Sequence, residues 1–194
     1  MELSDHSTPY LELSPQGVTL CVLAILSLLV CIPPMIWHSR HGNFPAACLI
    51  GWFIVQNFFN FVNPLIWSTD DVTTWWDGPG YCDIQSKLIT GVGVGIAGPL
   101  VCIFRSLANV MDTDRASLVP SKAEKIRNLV FEIVLCVVIP VIMMIIHYVV
   151  QDRRYLLFSI VGCMPSYYNS WVSIALGHIW PPVILIAAAV YASE

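Results

Sequence analysis

The sequence predicts an all-α membrane protein, a polytopic bundle of transmembrane helices, on three observations. Hydrophobic residues make up 57% of the chain and charged residues 11%, whereas a soluble domain has about 45–50% apolar residues even with glycine counted and about 25% charged. Five apolar stretches, 17–37, 44–67, 88–104, 128–150 and 172–192, contain just one charged residue, Glu132. Each run is continuously apolar, whereas a transmembrane strand would alternate over about 10 residues. Disorder is excluded. The net charge of −4 says little, because the distribution of charge across the bilayer matters more than its sum.

A helix rises about 1.5 Å per residue and the hydrocarbon core is about 30 Å thick, so about 20 residues cross it. The first stretch, 17–37, follows a leader without Lys or Arg that carries Glu2, Asp5 and Glu12. A signal peptide needs a basic start and a shorter apolar core, so the stretch reads as a retained helix, with the tail 1–16 outside. The second, 44–67, places Gln56, Asn60 and Asn63 at i, i+4 and i+7 on one helical face. Such amides either bond across helices as structural glue or line a polar cavity. The third, 88–104, is short, but Lys87 and Arg105 can snorkel from its ends. The fourth, 128–150, holds Glu132 near Arg127, which suggests an interfacial pair. The fifth is 172–192. Prolines fall in every span: Pro33 and Pro34, Pro64, Pro99, Pro140, and Pro181 and Pro182. They predict kinked helices whose freed carbonyls are satisfied by neighbours. The whole chain, 1–194, reads as a single transmembrane domain.

Basic residues set the expected orientation. Loop 38–43 has Arg40, and loop 105–127 has Arg105, Arg115, Lys122, Lys125 and Arg127. The opposite side has Lys87, Arg153 and Arg154. The bias puts the first and third loops in the cytoplasm and the N-terminus outside.

The motifs with chemical potential are few. Gly93–Gly98 matches the GxGxxG pattern, which carries nucleotide-binding meaning only between a strand and a helix. Inside an apolar span and before Pro99, it reads with Gly91 as a small-residue face (Gly91, Gly95, Gly98) for close helix packing. His38 and His41 form an HxxH pair, but a metal takes several ligands and His6, His147 and His178 are scattered. No catalytic constellation is present, so the expectation is no enzyme, no cofactor, no metal and no nucleic-acid partner. Five cysteines lie in spans, and Cys82 and Cys163 lie in the two expected outside loops, where an oxidising compartment permits a disulfide; the alternative is two free thiols. Asp83 and Lys87, four apart with the acid first, suit an ion pair.

Trp76-Asp77-Gly78-Pro79-Gly80-Tyr81-Cys82-Asp83-Ile84, followed by Lys87-Leu88, Gly91, Gly95, Cys102 and Arg105, resembles the start and end of the third helix in fungal mating-pheromone receptors of the a-factor (lipopeptide) type, class D G-protein-coupled receptors. Asn63 and Trp67 fit the same pattern, as does Gly162-Cys163 followed by Trp171. The resemblance covers essentially the whole chain, and its most specific part is the Trp-x-Gly-x-Gly-x-Cys-Asp stretch. It implies a multi-pass plasma-membrane receptor that binds a farnesylated, carboxymethylated peptide and activates a heterotrimeric G protein in mating. The family has seven spans where this chain has five, so the chain reads as a fragment or truncated form. A prenylated ligand would approach between helices from the bilayer. Asn60, Asn63, Trp67, Asp83, Lys87 and His178 would then serve the ligand, and Arg105, Arg115, Lys122, Lys125 and Arg127 the G protein. The rival classes are a small polytopic transporter, which would show duplicated halves or polar tracks, and a ligand-free membrane scaffold.

Overall fold

The computed structural model describes residues 14–68, 75–111 and 121–193. Helix α1 spans Pro15–Arg40 and α2 spans Phe44–Ile66. Helix α3 spans Tyr81–Met111 and α4 spans Lys122–Val150. A hairpin of β1 (Leu156–Phe158) and β2 (Gly162–Met164) follows, and then α5 (Trp171–His178) and α6 (Trp180–Ser193). Among the described residues, helices α1 to α4 are each long and apolar enough to cross a membrane, and α5 with α6, bent by 40° between them, passes the same test only when the pair is counted as one span. The protein is therefore a polytopic helical membrane protein. Among the described residues the one departure from all-α is the hairpin, which lies in a segment expected to be plain loop.

Hydropathy marks membrane depth rather than helix length. Helix α3 has 31 residues, because Tyr81–Lys87 at one end and Arg105–Met111 at the other continue the helix beyond the apolar stretch. Helix α4 likewise starts at Lys122, where Ser121 Oγ accepts from the Glu124 backbone N–H and caps it. The tail 1–13 and Arg115 lie outside the described residues.

The outer faces are apolar, as lipid-facing surfaces must be: Val30 is 72% exposed and Val149 78%. The core runs along α3. Val94, Ala97 and Val101 meet Met143 of α4 and Ile184 and Ala188 of α6. The small-residue face of α3 closes the other side. A Cβ on Gly95 would lie 2.3 Å from the Trp52 ring, and one on Gly98 would lie 2.3 Å from the Leu135 carbonyl oxygen. Trp52 of α2 thus wedges against α3, and α4 approaches α3 at backbone contact.

Prolines at two places explain the irregular helices. Pro140 has no N–H to offer the Cys136 carbonyl one turn back, and α4 widens to a π-turn at Val134–Val138. The Trp52 indole donates to that carbonyl at 3.3 Å. The tandem Pro181-Pro182 offers no N–H to the carbonyls one turn back, and the chain bends between α5 and α6.

Candidate functional site

At the end of the bundle where α3 begins, a cap forms around a disulfide. Cys82 in the first turn of α3 is bonded to Cys163 of β2, with Cα atoms 5.2 Å apart. Trp67, at the C-terminus of α2, packs on the bridge with no solvent exposure. Its ring stacks on Trp76 and its indole N–H donates to the Trp76 carbonyl at 3.1 Å. The hairpin tip docks on the same helix end: the Ile160 N–H donates to the Trp67 carbonyl at 2.9 Å. Asn63, 2% exposed, joins three segments. Its amide nitrogen donates to the Val161 carbonyl, and its oxygen accepts from the Tyr81 hydroxyl at 2.9 Å. Gly162 permits this. It sits at φ 77°, and a Cβ there would lie 2.5 Å from the Asn63 side chain.

Asn63 and Trp67 are therefore inside the cap, holding it together, and not on the wall of a cavity. Asn60 lies one turn deeper, half-buried, where it accepts from Gln56 at 3.2 Å.

The pairing on α3 differs from the expected Asp83–Lys87 ion pair. Asp83 accepts from Arg154 at 2.8 Å. Lys87 donates to His147 Nδ1 and to Gln151 Oε1, each at 2.8 Å, and its ammonium lies 5.4 Å from the centre of the Tyr148 ring. Acceptance at Nδ1 puts the His147 ring proton on Nε2. The helical spacing of Asp83 and Lys87 allows a pair, but α4 and its following loop bring other partners closer to both. Those partners gave no shared signal in the sequence: His147 lies in the last turn of α4, whereas Gln151 and Arg154 lie past its end at Val150, so no helical period links the three. Asp83, Lys87, Tyr148 and Arg154 line an open cavity of about 460 Å³ with Ile84 and Met144.

The chain of contacts continues inward. The Tyr167 ring meets His147 at 4.9 Å and His178 at 4.5 Å, both edge-on. Its hydroxyl shares a 3.4 Å hydrogen bond with Thr90. Burial pushes the Tyr167 phenol up from its ordinary value, and the Thr90 hydroxyl opposes that shift. His178 itself is exposed on α5. Sequence reasoning missed Tyr167, since one tyrosine in a loop gives no signal.

The opposite end of the bundle also repairs itself differently from expectation. Arg127 lies 3.8 Å from Glu124, and both are exposed, so Glu132 is not its partner. Glu132 sits with Arg105 and Asn128 around a small polar cavity. Arg105 donates to Asn128 at 3.3 Å and lies over the Phe131 ring at 4.3 Å. The reason is helical phase: Glu132 is five residues past Arg127, off its face, and turns toward α3. Lys122 and Lys125 project from the first turn of α4 and are exposed. Among the described residues no group of three or more His, Cys, Asp or Glu side chains is placed to hold a metal.

Comparison with known proteins gives one answer. A family profile described as STE3, pheromone A receptor, matches residues 19–193. The chain is 34% identical over 176 residues to the pheromone a factor receptor of Saccharomyces cerevisiae, covering 91% of this chain and 36% of that protein. It is 33% identical over 173 residues to the pheromone B beta 1 receptor of Schizophyllum commune, covering 88% and 31%. It is 27% identical over 172 residues to the pheromone M-factor receptor of Schizosaccharomyces pombe, covering 88% and 45%. The chain thus spans about a third to a half of the length of these curated relatives. No solved structure matches.

Proposed function

The chain belongs to the STE3 pheromone A receptor family, a family of receptors and not of enzymes, and from that premise we propose that it forms the ligand-facing part of a G-protein-coupled receptor for a prenylated mating peptide. The observation that carries the reading is the disulfide cap on the polar end of a helical bundle, in a chain that aligns with pheromone receptors over nearly its whole length. The peptide meets the cap end. Its prenyl chain gains about 0.8 kcal/mol per buried CH₂ and arrives from the bilayer between helices. Asn60, Asp83, Lys87 and His178 are the candidates for direct contact, and Asn63 and Trp67 hold the cap that positions them. Arg105, Arg115, Lys122, Lys125 and Arg127 serve the heterotrimeric G protein at the other end.

Orientation follows from the same reading. The cap end faces outside the plasma membrane, supported by the excess of basic residues at the other end and by the oxidising environment a lasting disulfide needs.

The test is a mating-pathway reporter in cells whose receptor carries these residues. A farnesylated peptide raises the reporter, and the same peptide without farnesyl does so far less. Equal potency of the two forms removes the lipopeptide ligand. Silence toward every mating peptide, with the protein at the cell surface, removes the receptor reading.

A further inference from the structure

A cavity of about 640 Å³ lies between α1, α2 and α4 and runs inward from the end of the bundle opposite the cap. One wall is fixed. The Trp52 indole crosses from α2 to the Cys136 carbonyl of α4 at 3.3 Å, and Gly95 of α3 lets its ring approach from the other side. The lining residues on α2 run from Phe44 to Val55, about 17 Å of helix at about 1.5 Å per residue. One leaflet's share of the hydrocarbon is about 15 Å, so the cavity is one leaflet deep. Val137 on its rim is 41% exposed, and Ser39 and Gly42 are exposed too, so the cavity opens on the lipid-facing surface.

The lining divides by chemistry. His38 and Ser39 stand at the end away from the cap. His38 Nδ1 is shielded from solvent and has no hydrogen-bond partner among the described residues, a costly state for a polar atom. No Lys, Arg, Asp or Glu side chain, among the described residues, lines the cavity. A charged headgroup drawn into it would lose water and gain no counter-charge. Deeper in, the Trp52 N–H is already bonded, and Ala47 and Gly51 leave a smooth wall. A Cβ on Gly51 would meet only Met35 Cε, at 4.0 Å. A smooth, uncharged slot favours a rigid body over a flexible chain, because a chain gives up more conformational freedom when it is ordered.

We propose that this cavity binds one membrane sterol, with its hydroxyl at His38 and Ser39, its fused rings along Ala47 and Gly51, and its tail toward Val55. A sterol matches the lining in each respect. It has no charge, one hydroxyl that both donates and accepts, and a rigid apolar body that spans one leaflet. It enters sideways from the leaflet opposite the cap. Once bound, it fills the space between α2 and α4 and supports α4 at the π-turn, where Pro140 removes a helical hydrogen bond. None of the lining residues belongs to the sets proposed for the pheromone or the G protein.

The experiment is photolabelling of the purified chain in phosphatidylcholine bilayers by a sterol with a diazirine in its ring system, the labelled peptides being read by mass spectrometry. Label collects on segments 44–55 and 133–138, saturates at one molecule per chain and is displaced by unlabelled sterol. The epimer with an inverted hydroxyl displaces it about 2–10-fold less well, the loss expected for one neutral hydrogen bond. His38→Leu weakens labelling by a similar factor, and His38→Gln restores most of it. Gly51→Phe obstructs the slot and abolishes saturable labelling while the thermal transition stays near that of the unmodified chain. Label spread without saturation over all the lipid-facing helices overturns the proposal, as does equal displacement by the two epimers. So does displacement by a farnesylcysteine methyl ester as good as that by sterol, which would make the cavity a prenyl site. If Gly51→Phe does not fold, the epimer and His38 comparisons still decide. No pheromone or G protein is present in the assay, so its failure leaves the receptor reading standing, and the reporter's failure leaves this one.

Discussion

Asn63 ties α2, α3 and the hairpin through one side chain, so its replacement has a specific signature. Asn63→Leu leaves the Val161 carbonyl and the Tyr81 hydroxyl without this partner at a part-buried joint, at about 0.5–1.5 kcal/mol for each lost bond. The expected outcome is less protein at the cell surface by flow cytometry, not weaker response at normal surface level. Tyr81→Phe removes one of the two bonds and lowers surface level less. Ile160 makes a sharper case. Val161 N–H donates to the Ser159 carbonyl at 2.6 Å around Ile160, whose φ is 65°, a γ-turn in its rarer, strained form. A β-branched residue in the left-handed region costs roughly 1–2 kcal/mol, held here because Trp67 accepts its N–H. Ile160→Asn relieves that strain and keeps the donor, so surface level stays at or above the unmodified value. Ile160→Pro forces φ negative and removes the donor, and the folded fraction collapses.

At the scale of elements, the packing of α3 depends on where its glycines face. Gly98 lies against the Leu135 backbone, which cannot move aside as a side chain can, whereas a Cβ on Gly93 would find only Pro181 Cγ at 3.8 Å. Gly98→Ala therefore costs about 1–3 kcal/mol by overpacking. Gly93→Ala is neutral or stabilising by up to about 1 kcal/mol through helix propensity. Thermal unfolding in detergent separates the two, and equal effects would mean that α4 does not approach α3 as described. The small-residue face was legible in the sequence, because glycines repeating at helical spacing inside an apolar run have few other uses. The partner at each glycine was not, since spacing along one helix carries no information on which helix lies opposite. The same holds for Trp52: its indole serves a carbonyl that Pro140 frees 84 residues away in sequence.

For the molecule as a whole, the disulfide closes a segment of 81 residues that contains most of α3 and all of α4. In a free chain such a loop closure is worth about 4–5 kcal/mol. Helices already held in a bilayer lose less freedom, so the effect here is smaller. Cys82→Ala and Cys163→Ala each lower the thermal transition, and the double variant lowers it no further than either single one, since both remove the same bond. Additive losses would show that the cysteines act independently. Topology is tested separately. A cysteine introduced into segment 112–120 reacts with an impermeant reagent only after permeabilisation, and labelling in intact cells would reverse the proposed orientation and with it the G-protein face.

The sequence by itself determined the class of solvent this protein lives in, its class as a polytopic helical membrane protein and the closely packed face of α3. Each of these is a local property: burial in lipid needs a continuous apolar run, and close helix packing needs small residues at helical period. Family membership was legible too, because the Trp-Asp-Gly-Pro-Gly-Tyr-Cys-Asp stretch is a contiguous string. Only the tertiary structure decided partners. Asp83 took Arg154 instead of Lys87, Glu132 turned toward Arg105 instead of Arg127, and Asn63 and Trp67 went into the cap. The physical reason is that an ion pair or a hydrogen bond acts over a few ångströms in space. The groups within that reach belong to helices far apart in the chain, and their relative phase is set by packing, not by any local run of residues.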